Sequence, residues 1–131
     1  MSTAADYARF NGMWLNDGVL DGVRILKTET AKLARSNLLP AGVSMGLIPG
    51  KANGFGSLMQ VVLPGGDLRG MEPPGSFGWS GAAGTTMWID PVNRVSVVAM
   101  VQFFPFGAVS VYGDIRRSAY ADLRAAGVVK G

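Results

Sequence analysis

Residues 76–91, Ser-Phe-Gly-Trp-Ser-Gly-Ala-Ala-Gly-Thr-Thr-Met-Trp-Ile-Asp-Pro, constrain the fold more than any other stretch of this chain. Residues 77–81 read as one strand. Residues 85–90 read as the next, rich in Thr, Trp and Ile, which suit a pleated, half-buried surface. Gly81 and Gly84 flank the bend between them. With Gly78 they mark places where another backbone or a ligand can come close. The spacing is not G-x-G-x-x-G, and a strand follows where that fingerprint needs a helix N-terminus, so the stretch is not a phosphate cradle. A tight hairpin without chemistry stays open on these residues alone.

The rest of the chain supplies layers for that hairpin. Thr3 followed by Asp6 is an N-cap with an acidic first turn, and Tyr7, Phe10, Asn11 and Trp14 then share one face at helical spacing. This helix is predicted to stop near Gly18. Asp21-Gly22 between apolar residues is a hairpin turn. Thr28 is predicted to cap a second helix that buries Leu33. Residues 37–53 contain Pro40, Gly42, Gly46, Pro49 and Gly50 and form a long surface connection. Residues 55–63 read as a strand, 64–67 as a turn and 69–75 as a loop with Pro73-Pro74. After the turn Asp90-Pro91-Val92-Asn93, residues 95–102 are apolar on both faces, which places them mid-sheet under cover on both sides. A last helix over 113–126 carries Ile115, Ala119 and Leu123 on one face and stops at Gly127. Asp90 reads as a turn residue because Pro91 follows it. Tyr112 and Tyr120 read as core or helix surface.

Composition excludes several kinds of chemistry. The 131 residues fit one domain, and 48% apolar with 16% charged residues argue for a globular chain. With no Cys and no His there is no disulfide, no Cys nucleophile and no in-chain Ser-His-Asp triad, and a zinc site is not expected. The net charge of +3 comes from scattered residues, which is a solvated surface rather than a nucleic-acid footprint. The longest apolar run, residues 97–101, is far short of the roughly 20 residues that span a bilayer. Nothing at the N-terminus reads as a signal peptide.

Taken in order, these pieces resemble the serine β-lactamase, penicillin-binding protein and esterase superfamily, in its class C and esterase-like branch. Trp79-Ser80-Gly81 stands where that family's third active-site motif stands, Lys-Thr-Gly or His/Trp-Ser/Thr/Gly-Gly. Gly84-Thr85, Trp88-Ile89-Asp90-Pro91 and the apolar strand ending in Gln102 continue the match. Ser2-Thr3-Ala4-Ala5-Asp6-Tyr7-Ala8-Arg9-Phe10 and Leu20-Asp21-Gly22-Val23-Arg24-Ile25-Leu26 are further family-like pieces. At 27 and 28 the family usually has Ser-Pro, whereas here stand Lys27-Thr28. Two motifs have no counterpart. No Ser has Lys three positions on, as the nucleophile motif Ser-x-x-Lys requires. Tyr7-Ala-Arg, Tyr112-Gly-Asp and Tyr120-Ala-Asp do not match Tyr-x-Asn or Tyr-x-Ser. The resemblance therefore implies the C-terminal portion of such an enzyme, beginning after both motifs.

The implied fold is α+β, an antiparallel β-sheet flanked by helices, a partial β-lactamase-like (transpeptidase-like) fold. It forms a single domain over 1–131, with a helical part and rim loop in 1–53, the sheet in 54–104 and a C-terminal helix in 105–131. The resemblance implies a chain that carries the substrate side of ester, amide, peptide or β-lactam acyl transfer and is inactive alone. Trp79, Ser80 and Gly81 would bind substrate. The backbone N–H of Ala82 would be an oxyanion donor in the intact family. Trp in place of Lys makes the site more apolar and favours an ester, amide or peptide over a β-lactam. No cofactor and no metal is implied. The expected partners are a small-molecule substrate in the intact parent, and a second copy or a missing N-terminal part beside the edge of 95–102. No nucleic acid and no membrane is expected. The alternative is a non-catalytic binding or assembly module that uses the exposed sheet edge.

Overall fold

The computed structural model describes residues 2–43, 53–65, 72–104 and 111–129. Most of the long connection (44–52), much of the loop before the central hairpin (66–71) and residues 105–110 lie outside the described residues.

Helix α1, Ala4–Leu15, starts where the cap chemistry puts it. The Thr3 side chain accepts the Asp6 N–H, and the Asp6 carboxylate accepts the Thr3 N–H, a reciprocal capping box. These bonds, the side-chain one first, hold the Asp6 carboxyl below its ordinary pKa. At the other end two arginines supply donors to the helix's last carbonyls. Arg35 donates to the Trp14 carbonyl at 2.9 Å, and Arg94 donates to the Leu15 carbonyl and to Asn16 Oδ1. Strands β1 (Val19–Leu20) and β2 (Val23–Arg24) form the expected hairpin. Asp21 and Gly22 both have positive φ, as the turn requires.

Helix α2, Thr28–Ala34, departs from expectation twice. Lys27, not Thr28, is the N-cap residue, and no side chain caps the helix. Thr28 is already the first helical residue, one position too late to cap. Ala31 is fully buried, and Leu33, expected inside, is exposed. Ala31 and Ala34 share the inner face one turn apart, and Leu33 falls on the far side from Ala31.

Residues 55–63 are not one strand. They split into β3 (Asn53–Phe55) and β4 (Gln60–Val62), paired antiparallel. The Gly56 N–H bonds the Met59 carbonyl at 2.8 Å and closes the turn, while the Ser57 N–H bonds the Ala34 carbonyl at the end of α2. The chain passes so close there that a Cβ on Gly56 would lie 2.2 Å from the Ala34 oxygen.

Strands β5 (Phe77–Ser80), β6 (Thr86–Asp90) and β7 (Val95–Ala99) complete a five-stranded antiparallel sheet of order β3-β4-β5-β6-β7. Helix α3, Val111–Ala125, ends at Gly127 with φ +70°. One face of the sheet packs on α1 and α2 through Trp14, Ala31, Val61, Phe77, Met87 and Ile89, with Val98 against them. The other face packs on α3 through Trp88, Val95 and Tyr120, with Val97, Ile115, Ala119 and Leu123. Each large side chain so buried contributes roughly 1.5–3 kcal/mol. β7 is thus covered on both faces, as its sequence predicts. It is nevertheless the last strand of the described sheet and not a middle one. No helix among the described residues is long and apolar enough to cross a membrane.

Candidate functional site

The site grows out of the hydrogen-bond alternation between β5 and β6. Gly81 N–H bonds the Thr85 carbonyl at 2.8 Å, so Gly81 and Thr85 form a hydrogen-bonded pair. Ser80 and Thr86, the next pair in register, are then a non-hydrogen-bonded pair, whose side chains approach more closely. Their hydroxyls lie 2.8 Å apart. The N–H and C=O of Ser80 therefore face away from β6. On that side β4 pairs with β5 only at Gly78 and Phe77. The edge of β5 at Ser80 stands open.

The turn beyond it is held from behind. Gly84 N–H bonds the Gly81 carbonyl at 3.1 Å, and Ala83 accepts the Phe103 N–H at 2.8 Å. Gly84 has φ +102°, where a side chain is strained, and a Cβ would lie 3.1 Å from the Phe103 nitrogen. Tyr112, from α3, donates its hydroxyl to the Gly81 carbonyl at 3.4 Å, and burial pushes its phenol pKa up. Ala82, at the tip, is exposed. Among the described residues its N–H has no acceptor.

Beside this strand end lies a cleft of about 520 Å³. Trp79, Ser80, Gly81, Thr85 and Thr86 line it from the hairpin, Ser2 and Tyr7 from the start of α1, and Met87, Val98 and Met100 from the sheet. None of these side chains is charged. Trp79 is 41% exposed, so it is not simply a core residue, and its ring stands edge-on to Phe55 at 5.3 Å. The arrangement offers an extended ligand a strand edge, a free main-chain donor, a row of hydroxyls and an apolar wall.

The structure thus places Trp79, Ser80, Gly81 and Ala82 at one strand end. Two residues that sequence reasoning did not assign to the site also reach it. Tyr7 lies on the aromatic face of α1, and its position at the helix start leaves it in the cleft mouth. Tyr112 approaches from a distance of 31 residues, and no local signal marks it. Asp90 takes the turn role expected of it. Its Oδ1 accepts the N–H groups of Val92 and Asn93, and its Oδ2 accepts Asn93 Nδ2 and the Tyr120 hydroxyl.

The Beta-lactamase family model matches residues 1–121. The chain belongs to the beta-lactamase family. Two Mycobacterium tuberculosis proteins, Protein Rv1367c and Uncharacterized protein MT1414, are each 35% identical to this family member over 111 residues. The match covers 79% of the chain but only 28% of each relative, so the chain spans less than a third of their length. A solved Bacillus anthracis structure that carries the name of a 6-aminohexanoate-dimer hydrolase superposes with a TM-score of 0.61 at 22% identity. It covers 95% of the chain and 30% of its own length, and it shows that the beta-lactamase fold is shared.

Proposed function

We propose that this chain carries the substrate-side half of an acyl-transfer site that acts on neutral esters, amides or peptides. One observation supports the reading above others. β5 runs past the end of β4, so that Ser80 main chain and the Ala82 N–H stand open beside a cleft without charge. A developing oxyanion needs donors already aimed at it, and a free main-chain N–H on a tied-down turn is such a donor. Gly81 leaves room for substrate against the strand. Ser80 hydrogen-bonds a substrate carbonyl, and Trp79 gives an apolar acyl group a flat wall. The chain contains no Ser-x-x-Lys, so the nucleophile and its base come from elsewhere and the chain alone does not turn over.

The test joins this chain to the Ser-x-x-Lys and Tyr-containing segment of a longer family member and assays chromogenic esters and a chromogenic β-lactam. The fusion is expected to hydrolyse neutral esters, and the free chain is not. In the fusion, Ala82→Pro removes the N–H and is expected to lower kcat by about 10²–10³. Ala82→Gly is expected to be mild. Trp79→Lys is expected to shift preference toward anionic substrates. A folded Ala82→Pro fusion with near-normal kcat sinks the oxyanion assignment. Saturable hydrolysis by the free chain, lost on Ser80→Ala, sinks the inactivity.

A further inference from the structure

The two hydroxyls that meet between β5 and β6 differ in what surrounds them. Thr86 is 4% exposed, whereas Ser80 is half-buried and lines the cleft. They stand opposite each other, 2.8 Å apart, on the sheet face that carries Trp88 two residues on. The other residues next to Thr86 on that face are Trp88 along the strand, Ala99 across on β7, and Gly78 and Val97 on the diagonals. None of these side chains can accept a hydrogen bond, since Trp88 only donates. Thr86 turns its main-chain groups toward β7, because it forms a non-hydrogen-bonded pair with Ser80. Among the described residues, Ser80 is the one partner of the Thr86 hydroxyl.

A hydroxyl has one proton to donate and two lone pairs to accept with, so one member of the pair donates to the other. The two directions are not equal. If Ser80 donates, the Thr86 proton is buried without an acceptor and bears the full cost of its lost solvation. If Thr86 donates, the proton left over is that of Ser80, at the cleft, where water or a ligand accepts it. We propose that Thr86 is a positioning residue, whose hydroxyl donates to Ser80 Oγ and so presents the Ser80 proton to the cleft. This role rests on the acyl-transfer reading of the site. The Ser80 O–H and the Ala82 N–H are then two donors at one strand end. They suit a ligand group that only accepts, such as the carbonyl oxygen of an ester or amide. Accepting from Thr86 also polarises the Ser80 hydroxyl and strengthens it as a donor. A ligand group that only donates, such as an ammonium, meets that proton instead of a lone pair.

Hydroxyl-proton NMR on the free chain reads the direction of the bond without any turnover. The Thr86 hydroxyl proton should exchange slowly enough to give a resolved signal, while the Ser80 proton exchanges with water and gives none. That signal should shift on Ser80→Ala and be lost on Thr86→Val. In the fusion to the Ser-x-x-Lys segment, Thr86→Val is expected to raise KM for a neutral ester about threefold with kcat unchanged, the scale of a hydrogen bond weakened and not removed. Thr86→Ser should restore the KM. On a Ser80→Ala background Thr86→Val should add nothing, because Thr86 acts through Ser80, whereas a merely structural residue would add its cost in both. A Thr86 proton without a signal, a signal from Ser80 in its place, or effects of Thr86→Val and Ser80→Ala that add overturns the proposal. A fusion without turnover overturns the acyl-transfer reading instead, and the signal from the free chain still decides which hydroxyl donates. It decides equally if Thr86→Val fails to fold.

Discussion

Two tight turns flank β6, and they treat their polar groups differently. At the β6–β7 turn the buried carboxylate of Asp90 accepts two main-chain N–H groups, the Asn93 amide and the Tyr120 hydroxyl, all at 2.7–3.0 Å. Around it Arg116 lies over the Trp88 ring at 4.9 Å and forms an ion pair with buried Glu72. At the β5–β6 turn the backbone is also tied, by Thr85, Gly81 and Phe103, yet the Ala82 N–H is left over and Trp79 stands half in solvent. A turn whose donors converge on one buried carboxylate holds layers together. A turn that keeps its shape and leaves a donor unused can bind something else.

Substitutions should separate the two turns by the size of their effect on stability. The largest loss is expected for Asp90→Ala, on the order of 3 kcal/mol, because it strips partners from several buried donors at once. Chemical denaturation would measure it, and a loss below that of an ordinary surface substitution would erase the contrast. Next comes Tyr120→Phe, expected to cost about 1.5 kcal/mol, the scale of one hydrogen bond to a charged acceptor.

Tyr120 also gives the contrast a pH signature. Burial, and then the charge and hydrogen bond of Asp90, push its phenol far above the ordinary value of about 10. In the unfolded chain the phenol ionises near that value, and in the folded protein it does not. The stability it contributes is therefore complete below pH about 10 and declines as pH rises further. Phenolate absorbance should show one tyrosine that ionises only as the protein unfolds, and Tyr120→Phe should remove that step. The smallest effects belong to the other turn. Ala82→Gly is expected to change stability by no more than about 0.5 kcal/mol, since Ala82 is exposed, and Trp79→Ala to cost about 1 kcal/mol, the scale of its edge-on contact with Phe55. A loss there as large as that of Asp90→Ala would mean that the β5–β6 turn is structural after all.

Much of this was legible in the residues, wherever one side chain acts on backbone close by. Thr3 and Asp6 close the capping box of α1, Asp21-Gly22 makes its turn, Gly127 ends α3, and Asp90-Pro91 turns the chain, all within three or four positions. The hairpin from Phe77 to Asp90 and the Trp79-Ser80-Gly81 strand end were readable for the same reason, as were the family and the α+β fold.

What tertiary structure decided were matters of which distant surfaces meet. Leu33 and Ala31 sit on one short helix, and only the packing of α2 on the core around Trp14 and Phe77 determines which of them is buried. The turn at Gly56, whose neighbour Ser57 bonds the Ala34 carbonyl, divides residues 55–63 into two strands. Tyr112 reaches Gly81, and Tyr7 enters the cleft, through packing that no local spacing encodes. The apolar faces of β7 announced cover above and below. Its place at the end of the sheet depends on hydrogen bonds in the third direction, which side-chain pattern does not report, because side chains alternate between the faces while the main chain points along the plane.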